Sequence, residues 1–130
     1  MGVITKVDVG LEASLATTFD VLSWEMELAG ARCMMVDAVI GEVMASLPDD
    51  KRARLLEGMH AVDLLSQQLT SLGAFTRKMS GSVGHEMCAP VDEALRDITL
   101  GALADRMLTA FGGEGRDIND GDGAGDLDLF

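Results

Sequence analysis

Two groups of side chains in this sequence could carry chemistry, and each contains a histidine. His60, Asp63 and Gln67 are spaced by three and four residues, so a helix would place them on one stripe. That stripe lies opposite an apolar row of the same segment, and we expect it to face solvent or a partner. In the second group, His85 precedes Glu86, and an exposed, neutral imidazole can act as a nucleophile near pH 7.

The segment Asp63-Leu64-Leu65-Ser66-Gln67 resembles the Asp-x-x-x-Gln motif of the CheZ family of chemotaxis phosphatases. The resemblance implies a dimer of long helical hairpins that reaches into the receiver domain of a response regulator. By this match Gln67 orients the attacking water and Asp63 engages the regulator's lysine. The metal and the phosphoryl group then belong to the regulator, so no cofactor is expected in this chain. The alternative is a solvated polar helix face.

The segment from His85 to Val91 is similar to the H-box of histidine kinases and histidine phosphotransfer proteins, His-acid-aliphatic-x-x-Pro-aliphatic. The resemblance implies that His85 is the phospho-acceptor and that Glu86 assists proton transfer. The family sets this histidine in a continuous helix, whereas Gly81 and Gly84 precede it here. The alternative is a connector histidine in front of a helix that begins at Pro90.

Residues 112–130 read as an acidic, Gly/Asp-rich tail behind a helical domain at 1–111. The tail contains six acids against one arginine and ends in Leu127, Leu129 and Phe130. We expect this apolar end to bind a partner or to fold back into an apolar groove of this protein or its twin. It is similar to the regulator-tethering C-terminus of the CheZ family and to the short peptide that binds bacterial sliding clamps. The EF-hand spacing fails, so no metal site is predicted.

The elements that position these groups follow from hydrophobic periodicity. A helix is predicted from about Leu11 to Leu47, because ten apolar positions recur at alternating spacings of four and three. That seam comprises Leu15, Phe19, Leu22, Met26, Ala29, Cys33, Val36, Ile40, Val43 and Leu47. A second row runs beside it at Trp24, Leu28, Ala31, Met35 and Ala38 or Val39. Two adjacent rows are too wide for one partner helix.

A second helix is predicted from Pro48 to about Met79, antiparallel to the first because the connection is short. Its predicted seam comprises Leu55, Val62, Leu65, Leu69, Leu72 and Met79. Gly30 and Gly41 interrupt the first helix at about 1 kcal/mol each, a cost that close approach of another backbone would offset.

Three further segments complete the predicted order. Residues 3–9 are expected to form an extended arm without a sheet partner, and residues 80–89 a connector. A third helix is predicted from Pro90 to about Phe111, with apolar residues on two opposite sides. A helix of that kind is sandwiched or buried.

The predicted fold class is all-α, a long antiparallel hairpin with a third helix, dimerising into a core like a four-helix bundle. The alternative is a three-helix monomer with an exposed patch. A net charge of −12 without a basic stripe argues against nucleic-acid and anionic-membrane partners. The sequence therefore predicts a cytoplasmic, homodimeric, non-enzymatic interaction protein, and the rival is a phosphatase or phosphotransfer protein acting on a receiver domain.

Overall fold

The structure, a computed structural model, describes residues 10–112 and is all-α with one small sheet. Its elements are β1 (Glu12–Ser14), α1 (Leu15–Met44), α2 (Asp49–Ser82), β2 (Cys88–Pro90), α3 (Asp92–Arg96) and α4 (Gly101–Ala110). The predicted fold class and its long hairpin are confirmed. The arm at 3–9 and the tail from residue 113 lie outside the described residues.

The described chain divides into two compact units. One contains residues 10–21 and 79–112, and the other is Leu22–Lys78. The second unit consists of most of the hairpin, with the two helices joined at Ala45–Pro48.

Small residues form the contact between α1 and α2. Ser23 and Gly30 of α1 are buried, as are Ser66 and Gly73 of α2. The Ser23 hydroxyl donates to the Gly73 carbonyl oxygen at 2.9 Å, and the Ser66 hydroxyl donates to the Gly30 carbonyl oxygen at 3.3 Å. Each helix therefore has a serine followed seven residues later by a glycine, which we call a Ser-x6-Gly pair. The serine of each pair contacts the glycine of the other. Because these side chains are short, the two backbones can approach closely.

The predicted seam of α1 is largely right. Eight of its ten residues are half-buried, Met26, Cys33 and Ile40 among them. The other half of the contact lies one residue later than expected, at Ser23 and Gly30. Their predecessors Leu22 and Ala29 are half-buried beside the contact, and the corresponding Val36 and Val43 are exposed.

The same one-residue shift occurs in α2. Leu55, Val62 and Leu69 are half-buried as predicted, whereas Leu65 and Leu72 are exposed. Ser66 and Gly73, one position later, are buried instead. In both helices the apolar periodicity therefore marks one flank of the hairpin contact as well as part of the contact itself.

The hairpin turn satisfies its own helix ends. The amide of Arg52 donates to the carbonyl of Pro48 at 2.8 Å, so Pro48 caps α2 as the last residue before it. The Arg52 guanidinium donates to the carbonyl oxygens of Leu47 (2.9 Å) and Met44 (3.3 Å). The first residues of α2 are thereby bonded to the turn at Leu47 and to the last residue of α1, Met44, whose carbonyl also accepts from the Leu47 amide.

Both long helices have bounds that differ from those predicted. α1 begins at Leu15 because Glu12–Ser14 forms a strand. The Ser14 hydroxyl then accepts from the Thr17 amide at 3.0 Å, an N-cap contact. α2 continues through Gly81 to Ser82, three residues beyond the predicted end.

The first unit contains the sheet and the short helices. β1 and β2 pair antiparallel with Ala13 opposite Ala89, so the connector predicted at 80–89 ends in a strand. The third helix is also wrong as predicted: it is two helices, α3 and α4, separated by Asp97–Leu100. Asp97, Ile98 and Thr99 all have lower helix propensity than straight-chain residues, which favours a break there.

Candidate functional site

The predicted polar stripe exists on α2. His60, Asp63 and Gln67 are all exposed. The Gln67 amide nitrogen Nε2 donates to Asp63 Oδ2 at 3.1 Å. The structure thus brings Asp63 and Gln67 into contact on an open helix surface, with His60 three residues before Asp63 on the same stripe. A partner could reach all three side chains without any rearrangement of the helix.

His85 lies in a turn between α2 and β2, and both it and Glu86 are exposed. The connector predicted at 80–89 therefore holds at His85, which departs from the H-box families, whose histidine lies within a long helix. The Met87 amide donates to the Gly84 carbonyl at 3.3 Å, which closes the turn around His85. Glycine at position 84 and the start of β2 at Cys88 explain why α2 does not continue through this segment.

The predicted partner-binding residues Leu127, Leu129 and Phe130 lie outside the described residues. Within residues 10–112, no group of three His, Cys, Asp or Glu side chains is placed to hold a metal ion. None of the described helices combines the length and the apolar character needed to cross a membrane.

One side of the hairpin is charged. Glu27 Oε2 of α1 and Arg77 Nη2 of α2 form an ion pair at 2.7 Å. Glu27 lies four residues after Ser23, and Arg77 four residues after Gly73, so both flank the buried contact on the same side of the hairpin. We call this side the charged face.

The opposite side of the hairpin is apolar. The residues immediately before the buried small residues flank the contact on the side away from the Glu27–Arg77 pair. They are Leu22, Ala29, Val36 and Val43 from α1, and Leu65 and Leu72 from α2. Four of them, Val36, Val43, Leu65 and Leu72, are between 45% and 51% exposed. We call these six residues the apolar face.

Gly58 lies on the same side of α2 as the apolar face, seven residues before Leu65. A Cβ at this position would meet nothing within 4 Å, whereas a Cβ at Gly73 would lie 3.4 Å from the Ser23 carbonyl oxygen. A glycine inside a helix costs about 1 kcal/mol relative to alanine. For Gly30 and Gly73, contact with the other helix accounts for that cost, but no contact among residues 10–112 does so for Gly58.

Sequence reasoning missed the two Ser-x6-Gly pairs, because it counted apolar side chains and neither serine nor glycine registers as apolar. A search for small residues repeated every seven positions in both helices would have found them. Those pairs turn the large side chains of the apolar face away from the hairpin contact and towards solvent.

Comparisons with known proteins give a family but no characterised relative. No curated protein and no solved structure matches the chain. A family that is described as a domain of unknown function (DUF8776) matches residues 12–130, most of the chain. The chain belongs to this DUF8776 family.

Proposed function

We propose that this chain is a non-enzymatic helical interaction protein that acts as a homodimer, with a second copy packed on the apolar face. The observation that carries the proposal is the presence of exposed large apolar side chains from both helices on one side of the hairpin. Contiguous apolar surface of this kind is typical of protein–protein interfaces. Two hairpins joined in this way form a four-helix bundle.

Gly58 supports the same arrangement. Its missing side chain leaves open space on the apolar face. A helix of the second copy can therefore approach the backbone of α2 there, as α1 approaches it at Gly73. That approach would offset the helix-propensity cost of the glycine.

Helix charges favour one arrangement of the two copies. α1 contains five acids and one arginine, for a net charge of −4, and α2 contains four acids and five basic residues, for a net charge of +1. A dimer that placed α1 beside the other copy's α1 would bring two acidic helices together. We therefore propose that α1 of each copy packs beside α2 of the other.

The proposed location is the cytoplasm. Cys33 is half-buried and Cys88 is exposed, and both are free thiols. A reducing compartment keeps such thiols unpaired.

The test of the dimer is a pair of adjacent leucines on α2. Leu65 lies on the apolar face and is 46% exposed, whereas Leu64 is 56% exposed and is rotated by about 100°. We expect Leu65→Glu to convert the dimer to a monomer in light scattering, because it buries a charge in the interface. Leu64→Glu should remain a dimer. Equal behaviour of the two variants, with helical circular dichroism retained, would remove the proposed interface.

A second candidate function is dephosphorylation of a response-regulator receiver domain, within two-component signalling. It is favoured by the exposed contact between Gln67 and Asp63, the two residues that match the CheZ motif. In this function the Gln67 amide would position a water molecule on the regulator's phosphoryl group, and the metal would come from the regulator.

That candidate is tested by the decay of phosphorylated receiver domains. If it holds, the full chain accelerates the decay, and Gln67→Ala abolishes the acceleration. Gln68→Ala is the matched control, because Gln68 is also exposed but lies on another stripe of α2. A decay rate that the wild-type chain leaves unchanged, for every receiver domain encoded in the source genome, would eliminate the phosphatase.

A further inference from the structure

A second apolar surface lies on α1, away from both α2 and the apolar face. It consists of Trp24, Leu28, Ala31, Met35 and Ala38, all exposed, and we call it the outer row. Leu28 and Met35 lie five residues after Ser23 and Gly30, which is about 140° around the helix from the buried contact. A dimer formed through the apolar face therefore leaves the outer row uncovered.

The outer row has the side chains of a docking site. Trp24 is 73% exposed and Met35 is 59% exposed, and Met34 beside the row is exposed as well. Tryptophan is enriched among the residues that dominate binding energies, and methionine adapts to varied apolar partners. Leu28 between them is 37% exposed, so Trp24 and Met35 are the most open large side chains of the row.

Charge identifies the chemistry of the occupant. Glu25 and Glu27 border the row near Trp24, and Glu42 lies one turn beyond Ala38. Their basic neighbours are Arg32 and Arg77, of which Arg77 is paired with Glu27. Three acids against two basic residues leave the border of the row with a net negative charge, and α1 as a whole has a net charge of −4. A second copy would present the same acidic α1, so self-association through two outer rows is unfavourable. A basic partner is attracted.

We propose that the outer row binds a basic amphipathic helix from a partner protein, with its apolar stripe on Trp24, Leu28 and Met35 and its lysines or arginines beside the glutamates. This is the helix-in-groove mode, in which apolar anchors recur at helical spacing. The inference rests on the proposed role as an interaction protein, and it names the partner's chemistry.

The experiment uses the full chain and two synthetic helical peptides of about 20 residues, a length of about 30 Å. One peptide has a leucine stripe and a lysine face, and its twin has glutamate in place of lysine. Trp24 is the only tryptophan in the chain, so its emission reports on the row directly. We expect the lysine peptide to shift the emission to shorter wavelength and to bind at least tenfold more tightly than its twin.

Variants separate docking from general attraction between charges. Leu28→Glu and Met35→Glu make the row more acidic, so non-specific attraction would strengthen binding of the lysine peptide. The proposal expects each variant to weaken it at least tenfold, while Leu64→Glu on α2 binds as the wild type does. Circular dichroism confirms that each variant folds.

Four results would overturn the inference: no shift, equal binding of the two peptides, tighter binding by Leu28→Glu and Met35→Glu, or equal loss in Leu64→Glu. Light scattering on the same samples measures the oligomeric state separately, so failure of the dimer and failure of peptide binding can be distinguished. A monomer that still binds the lysine peptide through the outer row would remove the dimer and leave this inference in place.

Discussion

At the scale of single residues, Asp37 is the side chain that the hairpin contact accommodates least well. It follows Gly30 by seven positions and so lies on the side of α1 that faces α2. Its Oδ1 atom is buried and has no hydrogen-bond partner among the described residues. A buried polar atom without a partner costs about 1–3 kcal/mol. Asp37 therefore lowers the stability of the fold relative to an apolar residue at the same position.

Asp37→Leu should stabilise the fold for this reason. We expect the free energy of unfolding to rise by about 1 kcal/mol, measured by urea denaturation at a fixed protein concentration. Glu42→Leu is the control, since Glu42 is an exposed acid of the same helix, and it should change stability by no more than about 0.5 kcal/mol. A loss of stability in Asp37→Leu would show that the carboxylate has a favourable partner.

Among the glycines of α1, the predicted close approach of another backbone is confirmed at Gly30, and at Gly41 it stays a prediction. A Cβ at Gly30 would lie 3.4 Å from Thr70 Oγ1, so another helix does approach there, but a Cβ at Gly41 would meet nothing within 4 Å. Helix propensity shows that each glycine has a cost. It does not show which one touches a neighbour, because that depends on which side of the helix faces inward.

At the scale of elements, the hairpin is held together by close backbone contact more than by large side chains. Ser23 is fully buried, and its hydroxyl shares the Gly73 carbonyl oxygen with the hydroxyl of Thr76, at 2.9 Å and 3.0 Å. A Cβ at Gly73 would already lie 3.3 Å from Glu27 Cγ. The space between the helices at this level therefore has no room for a larger residue.

Gly73→Leu should consequently force the helices apart. We expect it to lower the free energy of unfolding by at least about 1–3 kcal/mol, the usual range for overpacking. Gly41→Leu places the same side chain in open space within a helix and should raise stability by a few tenths to about 1 kcal/mol. Thermal and urea unfolding of the two variants would contradict this account of the contact if both were stabilised.

Helix type and the antiparallel hairpin could be predicted because long periodic segments and Pro48 are local signals. The one-residue shift of the contact could not, because Leu22 and Leu65 satisfy an apolar period as well as any buried residue would. Their neighbours Ser23 and Ser66 are buried in the contact, because their hydroxyls donate hydrogen bonds to the backbone of the opposite helix. The pairing of β1 with β2 joins two three-residue segments far apart in the chain, which no local pattern indicates.

The candidate site, like the fold, was predicted only in part. The stripe at His60, Asp63 and Gln67 was correctly placed on an exposed helix surface, since spacing alone decides it. The connector predicted at 80–89 correctly placed His85 outside the helices, and its role as a nucleophile stays a prediction. The apolar face was predicted as a core seam, because a sequence pattern does not distinguish burial within one chain from burial between two copies.

At the scale of the whole molecule, the account depends on the apolar face being covered. Most of its side chains remain about half exposed in the single chain, and exposed apolar surface on that scale signals a partner. A second copy supplies a matching face, a space at Gly58 and an α2 of opposite net charge to α1. These three features belong to different residues and all favour the same dimer.

Sedimentation equilibrium of the purified wild-type chain tests this claim most directly. The account predicts a molar mass of twice 13.7 kDa at micromolar concentration, with dissociation only on dilution or in denaturant. A mass of 13.7 kDa that persists to hundreds of micromolar would contradict it, because the apolar face would then stand open to water in the functional protein.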